Sequence, residues 1–377
     1  MSAGADRNSD RRGDPGLGAD LSDLAGLTDL ASSGRATLTE VARAALAGTP
    51  HDRLDAAVRA VDAPDVVFAV SVHGQRTVRA SPGGAEGLRY EIGSASKPYA
   101  GLLLARLAEA GHLAYEDSAA GCLGPRPPRP VEPITLRHLI THTSGLPALP
   151  RDFYRQALPR WRTNPFEGYP AHRVVDAFLH ARPRHRPGTR WHYSNFAVSV
   201  LGHALSAATR TGWDALLAEQ VLAPLGLSGT STRAGGGAAD AVGHARDGVS
   251  EVPPLRIGGF AAAGAVRATP HDLLTFLEAH LRPERTPSLA DALHAVRRPV
   301  LRRGFGKAHT HTLTWFQHLT DDGPAYFHCG ATSGQQAFLG FCPATGTAVA
   351  AVASRRFRRA DAFVPTAYGV LFDPSGG

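Results

Sequence analysis

Lysine is nearly missing from this chain: Lys97 and Lys307 stand against 38 arginines in 377 residues. A guanidinium keeps its proton under all ordinary conditions, whereas a desolvated amine can lose one, so each surviving lysine is a candidate for chemistry. Cysteine is scarce as well. Cys122, Cys329 and Cys342 are odd in number and show no paired spacing, which argues against a disulfide framework and suits a reducing compartment. No stretch approaches the roughly 18 consecutive apolar residues of a membrane-spanning helix. Near the N-terminus, Arg11 and Arg12 are followed by aspartates and not by an apolar segment, so no export signal is read and a cytoplasmic location is expected.

What is present is ordinary for a soluble globular protein, with 43% hydrophobic and 19% charged residues, enough for one large domain or two smaller ones. The net charge of +7 is spread along the chain, with small clusters at RPRHRPGTR (182–190), RRPVLRR (297–303) and RRFRR (355–359). Neither aromatic interleaving nor zinc-finger spacing accompanies them, so a solvated basic surface is expected and no nucleic-acid partner.

Residues 1–19, rich in Gly, Asp, Arg and Ser, read as a disordered leader. Amphipathic helices follow at TLTEVARAALAG and DRLDAAVRAV. DVVFAVSVHGQRTVRA (65–80) reads as two strands turning at His73 and Gly74, and a second strand-rich block occupies 325–354, with a turn at Ala344 to Gly346. Between these blocks the patterns are mostly helical, at 98–110, 171–181, 196–208, 213–223 and 270–281. Strands at both ends around a helical middle predict an α+β fold, one antiparallel sheet in an α/β/α sandwich built from both chain ends. The expected division is a sheet-and-helix domain of 20–120 and 230–377 carrying an all-helical insertion of 121–229.

Lys97 lies three residues after Ser94 in EIGSASKPYAGLLLARLAEAG (91–111). Ser94 falls near the first turn of a helix, with Pro98 where a missing amide is harmless. At i and i+3 the two side chains share a face, and the helix dipole favours an anion at Ser94. That suits a nucleophile activated by a lysine base. A capping serine followed by a surface lysine is the bland alternative, although random placement gives only about 0.1 such S-x-x-K matches. In PGTRWHYSNFAVSVLGHAL (187–205), Tyr193 and Asn195 form Y-x-N before an apolar helix. Residues i and i+2 of an extended segment face one side and could line a cleft wall, although an asparagine N-cap behind a packed tyrosine would look the same. In FHCGATSGQQAFLGF (327–341), His328 and Gly330 form H-x-G on a candidate strand, where the glycine would let a substrate lie close.

Taken in this order and at these separations, the three motifs resemble those of the serine β-lactamase and penicillin-binding-protein superfamily, specifically its class C-like branch of esterases, D-amino-acid peptidases and transacylases. YEIGSASK, ITLRHLITHTSGLP (134–147) and AAAGAVRATPHDLLTFLEAHL (261–281) add to the likeness, which spans residues 50 to 355. The resemblance implies that Ser94 is the acylated nucleophile, Lys97 its base, Tyr193 the proton relay to the leaving group, and Asn195 the residue orienting Lys97 and the substrate. It implies an oxyanion hole of the Ser94 and Ala331 amides, and it puts His328 where many β-lactamases carry a lysine. A mostly neutral histidine there disfavours efficient β-lactam hydrolysis.

The partner implied is a small-molecule acyl donor, with an amine or alcohol as a conceivable acceptor in place of water. The expectation is therefore a serine hydrolase of esters or small amides. The alternatives are a cytoplasmic acyltransferase of natural-product biosynthesis, a β-lactamase or D-Ala-D-Ala carboxypeptidase, and a binding protein that kept the fold. Phe153, Tyr154 and Trp161, in the aromatic-rich run 152–170, either line an acyl pocket or form a core under a loop. His138 and His142 stand four apart but lack a third ligand, so no metal and no cofactor is expected. His309 and His311 read as exposed strand residues, Cys329 as pointing away from the side of His328, and Lys307 has no interpretable surroundings.

Overall fold

In a computed structural model, residues 50–124, 133–161, 163–303, 309–358 and 361–372 are described. The leader at 1–19, the helical pattern TLTEVARAALAG and Lys307 lie outside them.

The strand Val66–Val72 (β1) is VVFAVSV, rich in β-branched residues and buried at its first six positions. Such a run lacks the polar alternation of a half-exposed strand and needs cover on both faces. It turns into Gln75–Ala80 (β2) through His73 and Gly74, at φ 51° and 89°. A positive φ at both central residues matches the twist of a two-residue hairpin. Short strands follow at Tyr90–Glu91 (β3), Thr230–Ser231 (β4), Gly243–His244 (β5), Glu251–Val252 (β6) and Arg267–Ala268 (β7). The chain then supplies Pro299–Arg303 (β8), His309–Thr312 (β9), Phe316–Leu319 (β10), Pro324–Ala331 (β11), Gln336–Cys342 (β12) and Thr347–Ala353 (β13). Eight of these make one antiparallel sheet in the order β2-β1-β13-β12-β11-β10-β9-β8, so β1 from the first half pairs with the last strand of the chain.

The sheet is covered on both sides. Val67 and Ala69 join a core with the helices Lys97–Glu109 (α2), Asn195–Thr209 (α3) and Pro270–Leu281 (α4). On the other face Val66, Phe68 and Val70 pack with Leu54 and Ala57 of the helix Pro50–Ala60 (α1) and with Val364 and Tyr368 of Phe363–Phe372 (α5). This is the expected sandwich built from both chain ends. β8, β9 and β10 are additional to the two strand blocks read from the sequence. The region 121–229 holds helices and no strand among its described residues. No helix is long and apolar enough to cross a membrane among those described.

Candidate active site

Ser94 sits in a 3-10 turn, Gly93–Ser96, that runs directly into α2 at Lys97, with Pro98 in the first helical turn. The turn is pinned from one side: Ile92 donates its amide to Val266 O (3.1 Å), and Ser96 Oγ accepts from Val266 N (3.1 Å). Ser94 is 9% exposed and Lys97 1%. Lys97 Nζ lies 2.9 Å from Ser94 Oγ, 2.8 Å from Asn195 Oδ1 and 3.0 Å from the carbonyl oxygen of Ala263. Burial in this setting pushes the lysine pKa well below its usual 10.5.

The proton count at Nζ gives this geometry its chemistry. A carboxamide oxygen and a peptide carbonyl can only accept, so they engage two N–H bonds. A neutral amine has two hydrogens and one lone pair. With both hydrogens committed to Asn195 and Ala263, the lone pair is left facing the Ser94 hydroxyl.

Asn195 is free for this role because its neighbour does the capping. Ser194 Oγ accepts from Ala197 N (2.9 Å), donates to Pro147 O (2.6 Å) and serves as the N-cap of α3, while Asn195 is the first helical residue. The asparagine-cap alternative therefore gives way to a serine cap. Tyr193 immediately precedes it, 5% exposed, with its ring 4.5 Å from that of His142 and its centroid 4.9 Å from Lys97 Nζ. Its hydroxyl is buried without a hydrogen bond of ordinary geometry. Burial lifts the phenol's pKa further above 10, and only the nearby Ser94 side chain opposes this. Tyr193 is thereby held as a neutral phenol, a proton donor.

His328 on β11 is fully buried, with Nδ1 2.8 Å from Cys329 O. Desolvation brings its pKa down to about 3, so the ring is neutral. Cys329 lies in the apolar cluster on the α1 and α5 face, where burial raises its thiol to about 12.

Gly330 serves a different purpose from the one expected. A Cβ there would stand 2.5 Å from Ala95 N, 2.8 Å from Ser94 N and nearer still to the Ile92 carbonyl. The space read as room for a substrate is filled by the chain's own nucleophile turn. Gly93, at φ 49°, makes the reciprocal approach, since its Cβ would come within 2.9 Å of Ala331 N. Two glycines thus let the backbone of the Ser94 turn and that of β11 at Ala331 approach closely.

Ser94, Asn195 and Ala331 open onto a cleft of ≈ 790 Å³, mouth included, walled by Trp161, Phe166, Phe260 and Phe357. Of the three aromatics proposed for an acyl pocket, Trp161 lines this cleft. Phe153 does not: it is fully buried in the core against Phe166, Tyr169 and Phe260, one layer behind the wall. Tyr154 is 46% exposed outside it, stacked on the far side of the contact with Trp161 at 6.2 Å. His311 also departs from expectation, being buried between Trp191 and Phe316. His309 is in a strand as expected. His138 closes a capping box with Thr135, and His142 Nδ1 accepts from Ser194 N (3.2 Å). Phe260 and Arg246 are cleft residues that no sequence pattern marked, while Phe166, Ala263, Arg356 and Phe357 lie in runs singled out from the sequence without being named for the site.

The model of the Beta-lactamase family matches residues 52–370. The chain belongs to the β-lactamase family. Members of this family are generally serine hydrolases, and Ser94 with its buried lysine is placed accordingly. Among curated relatives, penicillin-binding protein 4* of Bacillus subtilis (strain 168) is 28% identical over 143 residues, covering 37% of this chain and 30% of that protein. Protein flp of Staphylococcus aureus (strain MRSA252) is 24% identical over 278 residues, 70% of this chain and 51% of flp. The chain therefore spans about half or less of these relatives. A solved D-stereospecific amidohydrolase from Streptomyces sp. superimposes with a TM-score of 0.71 at 20% identity, covering 90% of this chain and 99% of that one. That likeness speaks for the β-lactamase-like fold alone.

Proposed function

We propose that the protein is a serine acyl-enzyme hydrolase of esters or small amides, working through Ser94, Lys97 and Tyr193. The observation that carries this reading is the environment of Lys97 Nζ, whose burial and two obligate acceptors favour a neutral amine aimed at Ser94 Oγ. Lys97 takes the Ser94 proton as the oxygen attacks the acyl carbon. The amides of Ser94 and Ala331 receive the oxyanion, where charge appears only in the transition state. Tyr193 gives its proton to the departing group as the acyl–oxygen or acyl–nitrogen bond breaks. The proton held by Lys97 then passes to the Tyr193 phenolate, which restores both neutral groups, and in deacylation Lys97 takes a proton from water as the water oxygen attacks and returns it to the departing Ser94 oxygen. His328 supplies no fixed positive charge beside the nucleophile, which disfavours retention of a penicillin carboxylate there.

The test is a fluorophosphonate probe together with p-nitrophenyl esters and nitrocefin. One adduct on the peptide containing Ser94, ester turnover above nitrocefin turnover, and loss of both adduct and turnover in Ser94→Ala are expected. Labelling that survives Ser94→Ala defeats the mechanism, and rapid nitrocefin hydrolysis with poor ester cleavage defeats the substrate assignment. Added amines and alcohols measure the acceptor: free acid throughout marks a hydrolase, and a new amide or ester at its expense marks a transferase.

A further inference from the structure

His142 is buried against Tyr193 and takes no proton in the acyl-transfer sequence. It stands just past the short helix Leu136–Ile140 at φ 59°, a left-handed conformation that histidine adopts more readily than most residues. From there it reaches the chain on both sides of Tyr193. Its carbonyl oxygen accepts from His192 N (2.8 Å), and its ring Nδ1 accepts from Ser194 N (3.2 Å). The ring also packs on that of Tyr193, with centroids 4.5 Å apart and planes tilted by 38°. The residues after His142 support the same segment farther out: Thr143 O accepts from Gly188 N (2.8 Å) and Ala148 O from Phe196 N (3.0 Å). The two bonds of His142 fall on the amides of the immediate neighbours of Tyr193.

An imidazolium has no acceptor, so the bond from Ser194 N holds only while Nδ1 is bare and the ring proton sits on Nε2. Desolvation lowers the ring's pKa well below 6.5, which keeps that form. The tyrosine depends on such support. Its hydroxyl is buried without a hydrogen bond of ordinary geometry, so the aim of the phenol comes from the backbone beneath it and the ring beside it. We propose that His142 is the positioning residue for Tyr193, holding the phenol where it can protonate the leaving group. His142 is not among the residues that line the acyl cleft, so it acts on the leaving-group side without touching the acyl portion.

This inference rests on the acyl-enzyme reading, and its test separates the two. Esters of one acyl group, with p-nitrophenol or ethanol as the leaving group, are compared in the wild type, His142→Asn, His142→Leu, Tyr193→Phe and the double variant His142→Leu/Tyr193→Phe. Asparagine tolerates the left-handed conformation and puts Oδ1 where Nδ1 stood, whereas leucine fills much of the ring's space and cannot accept. In His142→Leu the loss of kcat/KM should be about tenfold or more greater for the ethyl ester than for the p-nitrophenyl ester, because proton donation matters most to the more basic leaving group. His142→Asn should stay within about threefold of the wild type for both esters. In the Tyr193→Phe background, adding His142→Leu should cost less than about twofold, since no proton donor is left to aim. If His142→Leu does not fold, His142→Ala makes the same deletion without added bulk. Leucine outperforming asparagine, losses equal for both leaving groups, or losses that add to those of Tyr193→Phe would overturn the positioning role, while a probe adduct on Ser94 leaves the acyl-enzyme reading intact. If no ester is cleaved and Ser94 takes no probe, both readings fall.

Discussion

Gly330→Ala is the sharpest perturbation this structure offers, because one methyl group tests the junction on which the proposed chemistry depends. The added Cβ would lie 2.5 Å from Ala95 N and 2.8 Å from Ser94 N, against 3.4 Å or more for ordinary contact. All of these neighbours are backbone atoms of the 3-10 turn, so no side chain can swing aside. β11 and the turn must part by about 1 Å, since close-packed interiors leave no slack to absorb it.

Two consequences follow from that separation. Overpacking of this kind destabilises by about 1–3 kcal/mol, and a displacement of about 1 Å at reacting groups can cost about 100-fold in rate. Because the Ser94 and Ala331 amides sit on opposite sides of the junction, the loss should fall on kcat/KM at a temperature where the variant is still folded. Ester turnover and labelling rate at 20 °C, with thermal melting on the same samples, measure both effects. Gly87→Ala is the control, having nothing within 4 Å of its Cβ position, and should match the wild type in both assays. A Gly330→Ala protein with native melting and native turnover would refute the close approach of strand and turn, and with it the assignment of the two amides as a paired oxyanion site.

Lys97→Arg should be as inactive as Lys97→Ala in the ester assay, by at least about 100-fold, because guanidinium keeps the charge but has no accessible neutral form; an arginine variant with most of its rate would make the lysine electrostatic and not basic. Tyr193→Phe should preserve the packing on His142 but lose a proton donor, so the rate loss should grow from p-nitrophenyl to alkyl esters as the leaving group becomes more basic; a uniform loss across leaving groups would contradict the donor role. Acid stability follows from His280, which is fully buried with its pKa brought down to about 3 by desolvation. Unfolded histidine takes a proton near 6.5, so this group's contribution is intact above that pH and is lost as pH falls toward 3, about 2 kcal/mol of it between pH 7 and 5. Denaturant titrations at the two pH values should show that loss reduced by about this amount in His280→Gln; an unchanged pH dependence would mean that the ring is not held neutral.

The legible parts of the fold were those whose periodicity is dictated by one environment. The run 270–281 carries its apolar positions on a helical face and begins at Pro270 behind a Thr269 cap, and the helix occupies those residues. VVFAV and TAVAAVA read as strands because burial on both faces selects β-branched and small apolar residues. β8 and β10 gave no such signal, and in β9 only His309 and His311 read as strand residues, exposed ones. PVLRR and HTHT offer arginine, histidine and threonine where alternation would be sought, and His311 and His318 are buried by ring contacts that the strand pattern does not announce, His311 between Trp191 and Phe316 and His318 against Phe327 and Tyr368. The aromatic run 152–170 was ambiguous for a related reason. Phe153 and Trp161 look alike as letters, and only the packing of Phe260 against Phe166 decides which ring is core and which is wall. Arg246 and Arg356 could not be placed in one cleft from the sequence, since each lies in an irregular segment and the bridge between His244 and Arg355, with the Arg355 guanidinium on the Arg246 carbonyl, brings the two segments together.

The scarcity of lysine acquires a physical meaning only at the level of the side-chain environment. A buried cation is tolerated when it is paired or can shed its proton. At position 97 the partners are a hydroxyl, a carboxamide oxygen and a peptide carbonyl, with no carboxylate among them. Arginine could not relieve that burial, because its proton stays bound; a lysine can, by becoming the neutral base for which Asn195 and Ala263 prepare two acceptors. The same absence of a counter-charge explains why Tyr193 is held protonated beside it. A phenolate there would be stabilised by an ammonium, but burial works against both ions, and the neutral amine with the neutral phenol is the pair that can first take a proton from Ser94 and then give one to the leaving group.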